Sequence, residues 1–167
     1  KGLRELRGAE AEAALVAAAR RGPTATRVEA IGALADRGAS GASRMLLSAA
    51  VDADRAVGDA AIGALARLSG GAELPALAAM LSGTEDEVRR KRLEDAISAT
   101  CRRLGGGDAW AAPLIEALPG RSPEVRRSLL RALSAASGPD ALAAVRAATE
   151  AFPAWASALP DRQVLAR

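Results

Sequence analysis

Histidine and tyrosine are both absent from this 167-residue chain. The first absence removes at once the commonest general base, the commonest nitrogen ligand for metals and the side chain that titrates near neutrality. No cofactor or metal is therefore expected. Cys101 is the one cysteine, so an internal disulfide is excluded. A lone thiol leaves the compartment undetermined, with a soluble, cytoplasmic setting favoured. Aromatic residues make up only 2% of the chain, and none interleaves with its arginines. That argues against single-strand nucleic-acid binding by base stacking. No apolar run approaches the ~20 residues of a membrane span, and no signal peptide is visible. Lysine is scarce too: of the 23 basic residues, only Lys1 and Lys91 are lysines. The preference for arginine fits a GC-rich bacterial gene as well as it fits a need for bidentate contacts.

What remains is apolar, small and charged. Half the residues are hydrophobic and 26% are charged, the balance of a globular chain, and the net charge is only +3. Alanine supplies much of the apolar share, and it is both the best helix former and a residue that lets helices approach closely. Strands want β-branched and aromatic runs, and none appears. The chain reads as one all-α domain.

Asp54–Gly83 holds the organising unit. Val57, Ala60, Ala61, Ala64, Leu65 and Leu68 recur three and four apart, the spacing of one helix face. Ser69-Gly70-Gly71 stops that helix, because glycine accepts the left-handed backbone that ends helices. A second stripe of Leu74, Leu77, Ala78 and Leu81 follows. Two short helices in about 30 residues cannot bury a core alone and need copies of themselves on either side. Copies exist. The string Ala-Ile-Gly-Ala-Leu-Ala at 30–35 recurs letter for letter at 61–66, a spacing of 31. Gly41-Ala42 and Gly71-Ala72 open the two partner helices at a spacing of 30.

The units expected are therefore 24–52, 54–83, 84–120 and 122–150. Residues 1–22 would be a partial unit carrying a helix from Leu3 to Arg20, with Ala11, Leu15 and Ala18 on its apolar face. Residues 151–167 would be a degraded unit or a cap. A start at Lys1 and a halt in mid-pattern at Arg167 suggest a piece of a longer protein. The third unit opens on Thr84-Glu85-Asp86-Glu87, read as a capping box with Thr84 at the N-cap. Its first helix is about one turn longer than its counterparts. Asp108 is expected to cap the helix Ala109–Leu118, in which Pro113, like Pro75, predicts a kink or a late start. The fourth unit opens with Ser122-Pro123-Glu124, an N-cap followed by a proline at the first helical position.

A Val-Arg-x-x-Ala-x-x-Ala-Leu tendency runs through the first helices at 26–34, 57–65, 92–100 and 125–133. This pattern resembles the HEAT repeat, in the short HEAT-like form also found in phycobilisome lyases. The resemblance covers 24–150. It implies an all-α, right-handed α-α superhelix (solenoid) of about four helical hairpins, with first helices on the convex face and second helices on the concave one. Thr26, Gly58 and Arg92 depart from the motif, and Arg92 would send a guanidinium toward the packing seam unless the extra turn shifts the register.

Few residues invite chemistry. Cys101 lies on an apolar stripe with no histidine to activate it, so it reads as a buried structural thiol. The carboxylates at 85–87 and 94–95 point in different directions around a helix, and a Glu87–Lys91 pair accounts for them better than a cation site does. Gly105-Gly106-Gly107 lacks the strand and the Lys-Ser/Thr of a phosphate loop, and reads as a turn whose length suggests mobility. Trp110 and Trp155 read as packing residues before they read as exposed anchors. The sharpest binding candidates are Arg89, Arg90, Arg126 and Arg127. The repeat alignment sets these pairs side by side, as a strip for phosphates or an acidic partner, or else as partners for neighbouring carboxylates.

Three functions follow. The leading one is a non-catalytic scaffold for a protein partner, since stacked repeats expose an extended surface. The second is nucleic-acid backbone binding through the arginine rows, as HEAT-like DNA glycosylases do. The third, implied by the resemblance alone, is an accessory subunit of a lyase-type enzyme.

Overall fold

A computed structural model describes residues 8–151, and among these every regular element is helical. The α-helices are α1 (Ala9–Arg21), α2 (Thr24–Asp36), α3 (Ser43–Ala50), α4 (Arg55–Leu68), α5 (Leu74–Gly83), α6 (Glu87–Arg103), α7 (Asp108–Glu116), α8 (Pro123–Ser134) and α9 (Pro139–Ala151). Leu3–Arg7, Trp155 and the whole tail 152–167 lie outside the described residues. Long helices α2, α4 and α6 alternate with the shorter α3, α5 and α7. The expected extra turn is present, since α6 has 17 residues against 14 in α4.

The repeated string marks the buried face. Ala30, Ile31 and Leu34 are buried in α2, and Ala61, Ile62 and Leu65 are buried at the equivalent places in α4. Each fully buried leucine or isoleucine contributes about 1.5–3 kcal/mol. Gly32 and Gly63 face outward in both helices. The partner helices keep the same spacing of 31, not 30. Each begins with a short 3-10 turn, Ser40–Ala42 before α3 and Gly71–Glu73 before α5. Buried Ser43, Leu46 and Ala50 then correspond to buried Leu74, Leu77 and Leu81. The Gly-Ala match had slipped by one because those letters lie in the 3-10 turn, where Ala42 is buried but Ala72 is exposed. Pro75 sits in the first turn of α5, where it needs no N–H partner, so it marks a late start. Pro113 lies within α7 and removes one bond of its ladder. On α1, Ala11, Leu15 and Ala19 are buried, while Ala18 is only half-buried.

The described residues divide into two compact units at Ala76/Leu77, inside α5. In the first, α2 packs against both α1 and α4, and α3 packs against α4. Side chains tie these helices at their ends. Arg27 donates through Nε to the Ala19 carbonyl at 3.0 Å and forms an ion pair with Asp52. Thr24 donates its hydroxyl to Asp54, which also caps α4 by accepting from the Ala56 amide. Arg67 reaches Asp36 at 2.7 Å.

In the second unit, α6 packs on α8, α7 packs on α8 and α9, and α8 packs on α9. Three expected details change here. The cap of α6 is Asp86, whose carboxylate accepts from the Arg89 amide at 2.9 Å, so Thr84 is not the N-cap. An aspartate so placed adds a full negative charge at the positive end of the helix. Lys91 pairs with Glu94 and Asp95, each at 2.9 Å, in place of Glu87. Glu94 is almost fully buried and needs that cation more than an exposed Glu87 does. Asp108 does not cap its own helix but accepts from the Asp140 amide at 2.9 Å, capping α9 across the turn.

The glycine triad is held by its neighbours. Gly107 donates to the carbonyls of Ala136 at 2.6 Å and Ser137 at 2.8 Å. At Gly106, φ is +73° and an added Cβ would lie 2.5 Å from the Ala136 oxygen, so only glycine fits this close approach. The turn 105–107 is thus locked onto the turn 136–138, not a slack connector.

Candidate binding surfaces

The packing of α6 on α8 brings part of the arginine row together. The charges of Arg127 and Arg90 both act on Glu124, in the first turn of α8. Glu124 is held below the usual carboxylate range first by its own backbone N–H, then by the Ser122 hydroxyl and then by these two guanidiniums. A carboxylate therefore lies within reach of both Arg90 and Arg127, in a row that sequence alone draws as all positive. Arg90 also donates to the Glu85 carbonyl at 3.1 Å, and Arg126 to the Arg121 carbonyl at 3.4 Å. Arg89, Arg90, Arg126 and Arg127 are all half-buried, and the Arg127 Nε is buried without a hydrogen-bond partner. Arg92 is exposed, while the adjacent Leu93 takes the core position. The longer helix thus spares the seam a guanidinium.

The first unit holds a hollow that sequence reasoning missed. Helices α1 and α3, with the start of α2, enclose an open groove of about 760 Å³. Val16 and Ala19 of α1 and Met45 and Ala49 of α3 supply its apolar lining. Its polar lining is Arg20, Arg27, Arg44, Ser48 and Asp52, joined by the Gly41-Ala42 turn. Asp52 is held below its ordinary pKa chiefly by its hydrogen bond from Arg27, and then by the Asp54 amide it accepts from. Arg27 and Asp52 thus form a fixed, neutral pair. Arg20 and Arg44 are exposed and have no ion pair among the described residues. Arg21 extends the basic edge beside a smaller hollow of about 360 Å³ on α1. No single stretch of sequence signals this groove, because its basic residues, Arg20, Arg27 and Arg44, lie on three different helices.

Other candidates fall away on geometry. Cys101 is fully buried, and burial pushes its thiol pKa up, so no thiolate is offered. Trp110 is half-buried near the start of α7. Among the described residues no group of three His, Cys, Asp or Glu converges to hold a metal ion. No helix among them is long and apolar enough to cross a membrane.

Comparison with known proteins bears on the repeat itself. The family profile for HEAT repeats matches residues 12–98, more than half of the chain. No curated protein sequence matches. Among solved structures, an engineered protein from a structural genomics consortium aligns with a TM-score of 0.55 at 19% identity, covering 92% of this chain and 74% of its own. A designed armadillo repeat protein aligns with a TM-score of 0.55 at 19% identity, covering 98% of this chain and 81% of its own. At such identity the likeness speaks for the helical-repeat fold alone.

Proposed function

This chain belongs to the HEAT-repeat family, and on that premise we propose that it is a non-catalytic scaffold that holds a protein partner. The groove between α1 and α3 is the observation that supports this most. It is open, of ligand size, and its lining includes three cationic side chains, Arg20, Arg27 and Arg44. It contains no His or Cys, and its one carboxylate is ion-paired, an arrangement suited to holding a ligand and not to transforming it. The repeat units expected at 24–52, 54–83, 84–120 and 122–150 remain our reading of how such a scaffold is divided.

A photo-cross-linking amino acid placed at Ser48, in the groove, tests the proposal against one placed at Gly63, on the exposed side of α4. Discrete protein adducts from position 48 and none from 63 are expected in the source cell. Adducts to nucleic acid, or equal labelling from both positions, would overturn it.

One observation favours a second reading, in which the arginine row contacts a nucleic-acid backbone. Arg90 and Arg127, on the packed helices α6 and α8, both act on the same carboxylate, Glu124, so their charges lie close enough to face one backbone. Fluorescence anisotropy of labelled duplex DNA at several salt concentrations tests it. Binding that falls steeply with salt and disappears in Arg90→Ala/Arg127→Ala would support it, and no binding at low salt would remove it.

A further inference from the structure

Charge in the α1–α3 groove narrows the kind of protein it takes. The single carboxylate in the lining, Asp52, is already matched by Arg27, which is further fixed by the Ala19 carbonyl. That leaves Arg20 on one wall and Arg44 on the other as exposed cations with no ion pair among the described residues. Of the apolar lining, Val16 is half-buried, while Ala19 and Met45 are already buried within the fold.

We propose that the groove takes an extended acidic segment of a partner protein, with carboxylates on Arg20 and Arg44 and a small side chain against Val16. The inference rests on the scaffold reading above and adds the chemistry of the partner. Guanidinium forks match carboxylates in a bidentate way, and an extended chain sends alternate side chains to opposite sides, so neighbouring carboxylates can reach both walls. A volume of about 760 Å³ accommodates a few residues of such a segment. A duplex is the weaker fit. A protein that holds DNA through roughly six to ten phosphate contacts draws much of its affinity from them, and this groove offers two unpaired guanidiniums.

Random-peptide display on the immobilised full chain tests this, followed by affinity measurements on the enriched peptides and on a 20-base-pair duplex. The variant Arg20→Glu/Arg44→Glu changes two exposed side chains, and circular dichroism checks that it keeps its helices. Enriched peptides should be rich in Glu and Asp. Their affinity should drop about tenfold or more in the variant, the size expected from losing two charge-assisted contacts of modest strength. It should be unchanged in Arg90→Ala/Arg127→Ala. Enriched peptides that are basic or uncharged would overturn the acidic inference and leave the scaffold standing. Enrichment of no peptide, with the duplex bound instead, would overturn both.

Discussion

The two compact units stitch their helices with different chemistry across nearly the same distance in sequence. In the first unit, the ties that reach across helices are side chains: Arg27 to Asp52, Thr24 to Asp54 and Arg67 to Asp36, at separations of 25, 30 and 31 residues. In the second, turns 105–107 and 136–138 interlock through backbone, helped by Asp108 bonding the amide of Asp140 some 32 residues on. One repeat length thus supports two solutions. Charged ties leave turn backbones free to vary but depend on ionisation. A backbone interlock is indifferent to charge and tolerates almost no added atom. The first solution also leaves a groove whose remaining arginines are available, while the second closes its turn region upon itself.

Core truncation should not distinguish the units. Leu65 and Leu133 are both fully buried and occupy equivalent places in α4 and α8. Leu65→Ala and Leu133→Ala should each cost about 2–5 kcal/mol by chemical denaturation, the usual range for a buried leucine. A large cost at one and almost none at the other would break the equivalence of the repeats.

The glycine interlock should distinguish them. Gly106→Ala forces a left-handed alanine and sets its Cβ against the Ala136 oxygen, a destabilisation of about 2–3 kcal/mol. Gly105→Ala has open space around it and should cost only about 1 kcal/mol, from its positive φ alone. Equal costs at the two positions would mean that the turns do not interlock.

The charged ties should show in pH. Asp52 has its folded pKa lowered, chiefly by Arg27, and Asp54 has its own lowered, chiefly by the Thr24 hydroxyl. Stability from a depressed carboxylate is complete above its ordinary value of about 3.9 and disappears as pH falls through the lowered one. Thermal melts of Asp52→Asn should therefore lie below those of the unsubstituted protein at neutral pH, with the gap closing below about pH 4. A gap that persists at pH 2 would contradict the assignment of this tie to ionised Asp52.

The smallest effect should be a gain. Gly63 is exposed in the middle of α4, with nothing near an added Cβ, so Gly63→Ala should stabilise by about 0.5–1 kcal/mol. Gly32→Ala in α2 should do the same, since it occupies the equivalent place. A loss at either position would mean that a close approach at that glycine had been overlooked.

Much of the fold was legible because a helix face is a local property. Ala30-Ile31 and Ala61-Ile62 announce the same buried stripe, and Cys101 lies where its spacing from Ile97 puts it, in the core. What sequence could not show was set by groups far apart in the chain. Asp108 has the right residue type and position to cap α7, yet it serves α9 because the two turns meet. Thr84 and Asp86 both qualify as caps, and only the observed start of α6 decides between them. The charge run at 89–92 drew attention because it is dense, whereas Arg20 and Arg44 are isolated letters that share a groove only once α1 and α3 have packed. Density along a chain is a poor guide to density in space.

Amide hydrogen exchange of the full chain, free and saturated with the tightest peptide that display selection returns, tests the central claim most directly. Protection should appear in residues 16–20 of α1 and 41–52 around α3, with α6 and α8 unchanged. Protection confined to α6 and α8, along the arginine row, would contradict the assignment of the binding surface to the groove.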